Sequence, residues 1–273
     1  MNKLVSVIVP TYNSSSFIHE CLKSIQDQTY KNIEIIVIDN FSTDKTLEIT
    51  RKFTKKFFVI GPERSSQRNY GFKRSKGSYI CFIDSDMILN ENVISDCVAL
   101  NNSYEGYKSV VIPEKSFGVG FWAKCKAHER SFYENVSWME AARFFSRELL
   151  IKTGLYDENL ISGEDWDLSK RSESYTKPQR IKSYIYHNEG HLSFFGNLKK
   201  KYYYGKKINQ YVRKDNSNKF KQSNIFLRYM LFIKKPLLLF NYPILSISVI
   251  FNKSLEFLFG LLGLLSNFIG DKK

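Results

Sequence analysis

YICFIDSD, residues 79–86, is the stretch on which the fold turns: five apolar or aromatic residues in succession, then two carboxylates one residue apart. A short unbroken apolar run bounded by polar residues is the pattern of a strand buried on both faces. The acids Asp84 and Asp86 therefore fall at its carboxyl end.

Upstream, the same pattern repeats. Residues 4–9 (LVSVIV) are closed by Pro10, and residues 33–38 (IEIIVI) by Asp39. Residues 57–60 form a shorter third run. Between them the periodicity changes to that of a helix: Phe17, Cys21, Leu22 and Ile25, then Thr46, Leu47, Ile49 and Phe53 after the turn-forming DNFSTD, then residues 67–73 leading into the quoted strand. Strand and helix in alternation predict an α/β fold with an open, mostly parallel, Rossmann-like sheet flanked by helices. Its ligands should gather at the carboxyl ends of the strands. Three polar clusters, residues 11–13, 39–42 and 84–86, then share one rim and one site.

Downstream the pattern loosens. Residues 110–113 read as a strand, 148–154 as a short helix closed by glycine, and 156–167 as an acidic loop entering another helix. Residues 226–233, 236–251 and 255–269 are strongly apolar, interrupted only by Arg228, Lys234, Lys235, Lys253 and Glu256. The two later runs, each about sixteen residues, fall short of the ~20 that an upright span requires, which favours a membrane hairpin or amphipathic helices lying in the interface. The expected division is a catalytic domain over 1–195, a basic connecting helix over 196–222 and a membrane-associated helical tail over 223–273.

Composition sets further bounds. With 273 residues, 43% of them apolar and 15% aromatic, the chain can bury one substantial core, which excludes wholesale disorder. Its formal net charge of +14 calls for an anionic partner. Residues 196–221 hold nine Lys and Arg against the single acid Asp215, directly before the apolar segments, so attraction to an anionic membrane surface is preferred over nucleic acid. A nucleic-acid strip built on Tyr202, Tyr203, Tyr204 and Tyr211 is the competing reading. Cys21, Cys81, Cys97 and Cys125 form no C-x-x-C pair, and the N-terminus lacks a signal-peptide pattern, so reduced thiols and the cytoplasmic face of the cell membrane are expected.

Two carboxylates at i and i+2 after a strand can converge on one Mg2+ or Mn2+ that shares its remaining positions with substrate phosphates; the bland alternative is an Asx-type turn. Four blocks extend the pattern: VSVIVPTYN (5–13), EIIVIDNFSTDKT (34–46), RNYGFKRSKGSYICFIDSD (68–86) and GLYDENLISGEDWDL (154–168). Together they resemble the successive signature blocks of the family 2 glycosyltransferases with the GT-A fold, over about residues 4–192. The resemblance implies an inverting, metal-dependent enzyme of hexosyltransferase type, drawing on a UDP- or GDP-linked sugar. It assigns Pro10, Tyr12 and Asp39 to the nucleotide, and Asp84 and Asp86 to a divalent cation, with Asp84 also turned to the ribose. Within the pair Glu164-Asp165 it makes Asp165 the general base. A helix cap is the alternative for both Asp39 and Asp165.

The chemistry asks for those residue types. Expelling a nucleoside diphosphate requires its charge to be neutralised, and a carboxylate on the opposite face must take the proton of the acceptor hydroxyl. His187, after a strand-like segment, matches a late metal ligand of GT-A enzymes, with His191 its rival, and Arg68 and Lys76 are candidate diphosphate contacts. No Q-x-x-R-W motif follows the acidic loop, which points to transfer of a single sugar. The acceptor expected from the apolar tail is a glycan or a polyprenyl-linked sugar at the bilayer. A sugar-nucleotide-forming nucleotidyltransferase would carry a glycine-rich loop where Pro10-Thr11-Tyr12-Asn13 stands. A membrane-tethered nucleic-acid-binding protein is the non-enzymatic alternative.

Overall fold

The apolar runs form the central strands because none leaves a polar face for water. In chain order the elements are β1 (Val5–Thr11), α1 (Ile18–Gln26), β2 (Ile33–Asp39), α2 (Thr46–Thr50), β3 (Phe57–Val59), α3 (Arg64–Arg74), β4 (Tyr79–Phe82), β5 (Met87–Leu89), α4 (Val93–Asn102) and β6 (Ser109–Val111). They continue as β7 (Glu114–Val119), α5 (Phe121–Ser131), β8 (Ala142–Ser146), α6 (Arg147–Thr153), α7 (Glu164–Glu173), β9 (Gln179–Arg180), β10 (Ile185–His191) and α8 (Phe194–Lys207). Three helices close the chain: α9 (Ile225–Ile233), α10 (Pro236–Asn241) and α11 (Pro243–Gly270). This computed structural model describes residues 3–102, 108–207 and 224–270.

The chain divides into two compact units that interleave in sequence. The first comprises Met1–Glu114, Ala141–Glu158 and Glu164–Asn188; the second comprises Lys115–Glu140, Asn159–Gly163 and Glu189–Lys273. These boundaries differ from the linear division at 195 and 222, because α5 belongs with the C-terminal helices.

The first unit is an α/β fold with helices on both faces of its sheet. Its seven-stranded sheet has the order β3-β2-β1-β4-β8-β6-β9. Strands β3, β2, β1 and β4 are mutually parallel, and β8 runs antiparallel to both β4 and β6. Val5, Val7, Val9, Val37 and Cys81 pack one face against Leu22, Ile25, Ile94 and Cys97. Ile8, Ile36, Ile38, Ile80 and Phe82 pack the other against Phe72, Leu149, Leu150 and Leu168.

Register sets the rim. Thr11 lies opposite Asp39 and Ile8 opposite Phe82, so Asp39 and Asp84 leave the strands on either side of β1 at the same end of the sheet. Helix α3 reaches this end because Gly71 has no Cβ: one placed there would collide with Ile8 and crowd Ile38. That close approach carries Gln67 and Arg68 beneath the strand ends, where Gln67 Nε2 donates to the carbonyls of Thr11 (3.0 Å) and Ile38 (2.6 Å).

The second unit is mostly helical among its described residues, with β7 its main strand. Cys125 and Phe132 of α5 meet Phe232 of α9 and Val249 of α11 in a small apolar core. Two expectations change here. Residues 236–251 and 255–269 are not separate runs joined at Lys253; from Pro243 they form one 28-residue helix. Lys253 and Glu256 do not break it because they are buried and paired, with Lys253 Nζ 2.5 Å from both Glu129 and Glu256. The basic connecting helix is present from Phe194 to Lys207; its expected remainder, with Tyr211, Arg213, Lys214, Lys219 and Lys221, lies outside the described residues.

Candidate active site

At the carboxyl end of the sheet, acids distant in sequence are gathered by one buried cation. Arg68, on the second turn of α3, is fully buried. Its Nη2 donates to Asp84 Oδ1 at 2.6 Å, and its Nη1 to Asp165 Oδ1 at 2.8 Å and Glu164 Oε1 at 3.3 Å. The guanidinium also stacks over the Tyr156 ring at 4.9 Å. A buried guanidinium is held by the paired carboxylates that neutralise it.

A second arginine approaches Asp84 from β8: Arg143 Nη1 lies 3.4 Å from Asp84 Oδ2, and Arg143 Nε donates to Glu114 at 2.7 Å. Burial alone would raise the Asp84 carboxyl. Arg68 and then Arg143 override it and hold the group well below the usual carboxylate range. Glu164 moves the other way, pushed up by burial and then by the charge of Asp165.

Asp86 is placed differently from Asp84, two residues away. Its Oδ2 is 3.2 Å from His187 Nε2 on β10, and its Oδ1 is buried without a hydrogen-bond partner among the described residues. The antiparallel pairing of β5 with β10 sets this meeting, since His187 lies opposite Met87. His187 Nδ1 in turn lies 3.7 Å from Glu114. An orphaned buried carboxylate oxygen beside an imidazole nitrogen suits a divalent cation. Among the described residues no three His, Cys, Asp or Glu side chains form a metal-binding group. Asp86 and His187 thus stand as a pair of potential donors.

Around β1 and β2 the loops are laced together. Asn40 N donates to the Thr11 carbonyl (2.8 Å), Asn13 N to Ser42 Oγ (2.8 Å) and Thr43 N to Asn13 Oδ1 (2.9 Å). This frame leaves two aromatics standing out into solvent, Tyr12 at 60% exposure and Phe41 at 65%.

The profile of the family described as Glycosyl transferase family 2 matches residues 6–154. This chain belongs to that family. GlyA, a glycosyltransferase of Streptococcus pneumoniae, is 33% identical over 138 residues, 48% of this chain and 18% of that protein. An uncharacterized glycosyltransferase of Rickettsia typhi is 32% identical over 181 residues, 60% of this chain and 57% of its own length. The chain therefore spans between 18% and 57% of these two relatives.

Among solved structures, the mannosyltransferase PcManGT of Pyrobaculum calidifontis, in complex with GDP-Man and Mn2+, superposes with a TM-score of 0.63 at 14% identity, over 97% of this chain and 88% of that one. TarS of Staphylococcus aureus superposes with a TM-score of 0.56 at 22% identity, over 83% of this chain and 43% of that one. These likenesses establish the fold.

Six of the expected residues meet at one end of the sheet: Asp84, Asp86, Glu164, Asp165, Arg68 and His187. Glu164 and Asp165 open the first turn of α7 instead of ending a loop.

Asp84 meets two guanidiniums, those of Arg68 and Arg143, and Arg68 meets the carboxylates of Asp84 and Asp165. Asp39 is fully buried and accepts from Ser42 N (2.7 Å) and Ser42 Oγ (2.5 Å), so its visible work is to shape the loop bearing Phe41. Pro10 is an interior residue of β1. Lys76 lies away from the site: its backbone N–H binds Glu34 near the start of β2, the opposite end of the sheet.

Sequence reading passed over Gln67, Asn69, Phe41, Glu114 and Arg143. Asn69 bridges α3 to the segment before α7, donating to the Tyr156 carbonyl (2.9 Å) and Glu158 (2.8 Å). Its adjacency to Arg68, and an aromatic inside DNFSTD, were the available signals.

Proposed function

We propose that the protein transfers a single sugar from a UDP- or GDP-linked donor to a hydroxyl of a glycan or polyprenyl-linked acceptor, with inversion, at the cytoplasmic face of a membrane. The observation that carries this reading is the Arg68 clamp, which joins Asp84, the first acid after β4, to Glu164 and Asp165 opening α7 at a single site. The pairing with known donors follows structural neighbours: TarS forms a complex with UDP-GlcNAc, and PcManGT with GDP-Man and Mn2+.

In this reading Tyr12 and Phe41 flank the nucleobase, and Pro10 and Asp39 form the floor beneath it. Asp86 and His187 would hold the cation. The cation, when bound, neutralises charge accumulating on the departing diphosphate. Asp165, partly exposed and oriented through its other oxygen by Arg68, accepts the proton of the attacking hydroxyl. Attack from the face opposite the diphosphate inverts the anomeric carbon, by the same geometry that separates acid from base in inverting glycosidases. Arg68 is a positioning residue. It holds Asp165 in place through the 2.8 Å hydrogen bond to Oδ1.

The acceptor at a membrane is supported by Pro243–Ser266, a helix long and apolar enough to cross one by length and composition, with mean hydropathy 1.5. The four free, buried cysteines agree with a reducing compartment. The test is a donor screen: the full chain is incubated with a panel of UDP- and GDP-sugars and Mn2+ or Mg2+, and nucleoside diphosphate release is followed. Release from one donor class, abolished by chelation, is the expected outcome. No binding or release with any donor would defeat the reading.

A further inference from the structure

Helix α11 is built the wrong way round for water. Ser246, Asn252, Lys253, Glu256 and Gly263 are buried, whereas Ile244, Ile247, Phe251, Leu258, Leu262 and Leu265 are exposed. At 3.6 residues per turn the two sets occupy opposite faces. A surface helix of a water-soluble domain has the reverse arrangement, with charges outward and apolar residues inward.

The rotation is locked. Within the second unit Lys253 is clamped between Glu129 and Glu256, Asn252 Nδ2 donates to Glu256 (3.1 Å), and Ser246 Oγ lies 3.0 Å from His128 Nε2. Turning the apolar face inward would unpair buried charges. The neighbouring helices extend the surface: α10 has no buried residue, and Phe226, Leu237 and Phe240 are 77%, 76% and 80% exposed.

Length does not decide how such a surface meets a bilayer. From Ile244 to Leu265 the helix rises about 32 Å, enough to cross the hydrocarbon core. The flank decides. Helix α8 lies backbone-to-backbone against α11, where a Cβ on Gly205 would strike Gly260 and one on Gly263 would strike Tyr202. Asn197 Nδ2 of α8 donates to Glu256 at 2.7 Å. That same α8 exposes Lys199, Lys200, Lys206 and Lys207. An upright α11 would drag four lysines into hydrocarbon, and a horizontal one leaves them in water beside the headgroups.

We propose that α9–α11 seat the protein in one leaflet of an anionic phospholipid membrane, with α11 in the plane, its exposed apolar face among the acyl chains and the α8 lysines at the headgroups. Charge complementarity selects anionic lipid as the occupant, since the chain carries +14. The inference deepens the membrane reading above and is independent of the transfer chemistry.

The test uses the full chain with vesicles of phosphatidylglycerol and phosphatidylcholine. Expected are flotation with the mixed vesicles, weaker flotation with phosphatidylcholine alone, and a loss of about tenfold or more in partitioning for each of Phe240→Glu and Phe251→Glu. Donor hydrolysis in solution should persist in both variants, so that failure here is distinct from failure of the transferase reading. Nitroxides at Ile244→Cys, Phe251→Cys, Leu258→Cys and Leu265→Cys, seven residues apart on one face, should report one shallow depth. A depth maximum at 251 and 258 with shallow ends would mean a spanning helix and overturn the proposal. So would flotation unaffected by the Glu variants, or a lipid-indifferent dimer that those variants split.

Discussion

Two buried cations organise this molecule, and they do opposite things. Arg68 in the first unit draws three carboxylates, and Lys253 in the second draws two, around a group with almost no exposure. Around Arg68 the acids stop at the open end of a sheet, with Asp165 partly exposed and one oxygen of Asp86 left without a hydrogen-bond partner among the described residues. Around Lys253 both glutamates are buried, Tyr133 caps Glu129 at 2.7 Å, and the paired charges turn apolar side chains outward. A charge cluster with an unused valence at a strand end is built for chemistry. One that is closed on all sides fixes the orientation of a helix.

Replacing the two cations should separate these roles. Arg68→Met leaves three carboxylates around an apolar side chain and should cost about 3–5 kcal/mol of stability in urea unfolding, together with nearly all turnover per folded molecule. Lys253→Met should cost less, about 1–3 kcal/mol, because Lys126 (2.9 Å from Glu129) and Lys201 (3.7 Å from Glu256) still face the two glutamates, and it should leave turnover per folded molecule within about twofold. Equal losses of turnover in the two variants would erase the distinction.

Acid should weaken the first cluster in a defined direction. The Asp84 carboxyl is depressed in the folded state, so its contribution to stability is complete above the ordinary aspartate range and is lost as pH falls below about 4. Glu164 has the opposite sign: its raised value means that folding binds its proton more tightly, and its contribution is lost as pH rises through the folded value. Unfolding followed from pH 2 to pH 7 should therefore show the acid limb shrink in Asp84→Asn, which lacks the titrating group. The smallest effect is expected at the rim, where Phe41→Ala should weaken donor binding by about 1 kcal/mol through loss of an aromatic contact, measurable by titration calorimetry.

Much of the first unit was legible before any coordinates, because strands buried on both faces must be continuous apolar runs and each of three ended on a polar cluster. Asp84, Asp86 and Asp165 could be nominated because their neighbours form recognisable blocks. Arg143 and Glu114 could not: β8 enters the sheet antiparallel beside β4, and only that tertiary insertion brings Arg143 to Asp84. Strand β5, three residues long, depends on its pairing with β10 and has no periodicity of its own. Lys253 and Glu256 misled for a related reason. A charge inside an apolar run reads as a break until a partner from another helix, here Glu129 of α5, buries it.

Dividing the labour between Asp165 and Asp86 tests the proposed chemistry most directly. Donor affinity and nucleotide release would be measured with and without Mn2+ for Asp165→Asn and Asp86→Ala in parallel. The expected result is a turnover loss of about 10²–10⁴-fold in Asp165→Asn with donor affinity nearly unchanged, against a collapse of Mn2+-dependent donor affinity in Asp86→Ala. Equal loss of binding in both variants, or full activity in Asp165→Asn, would contradict it.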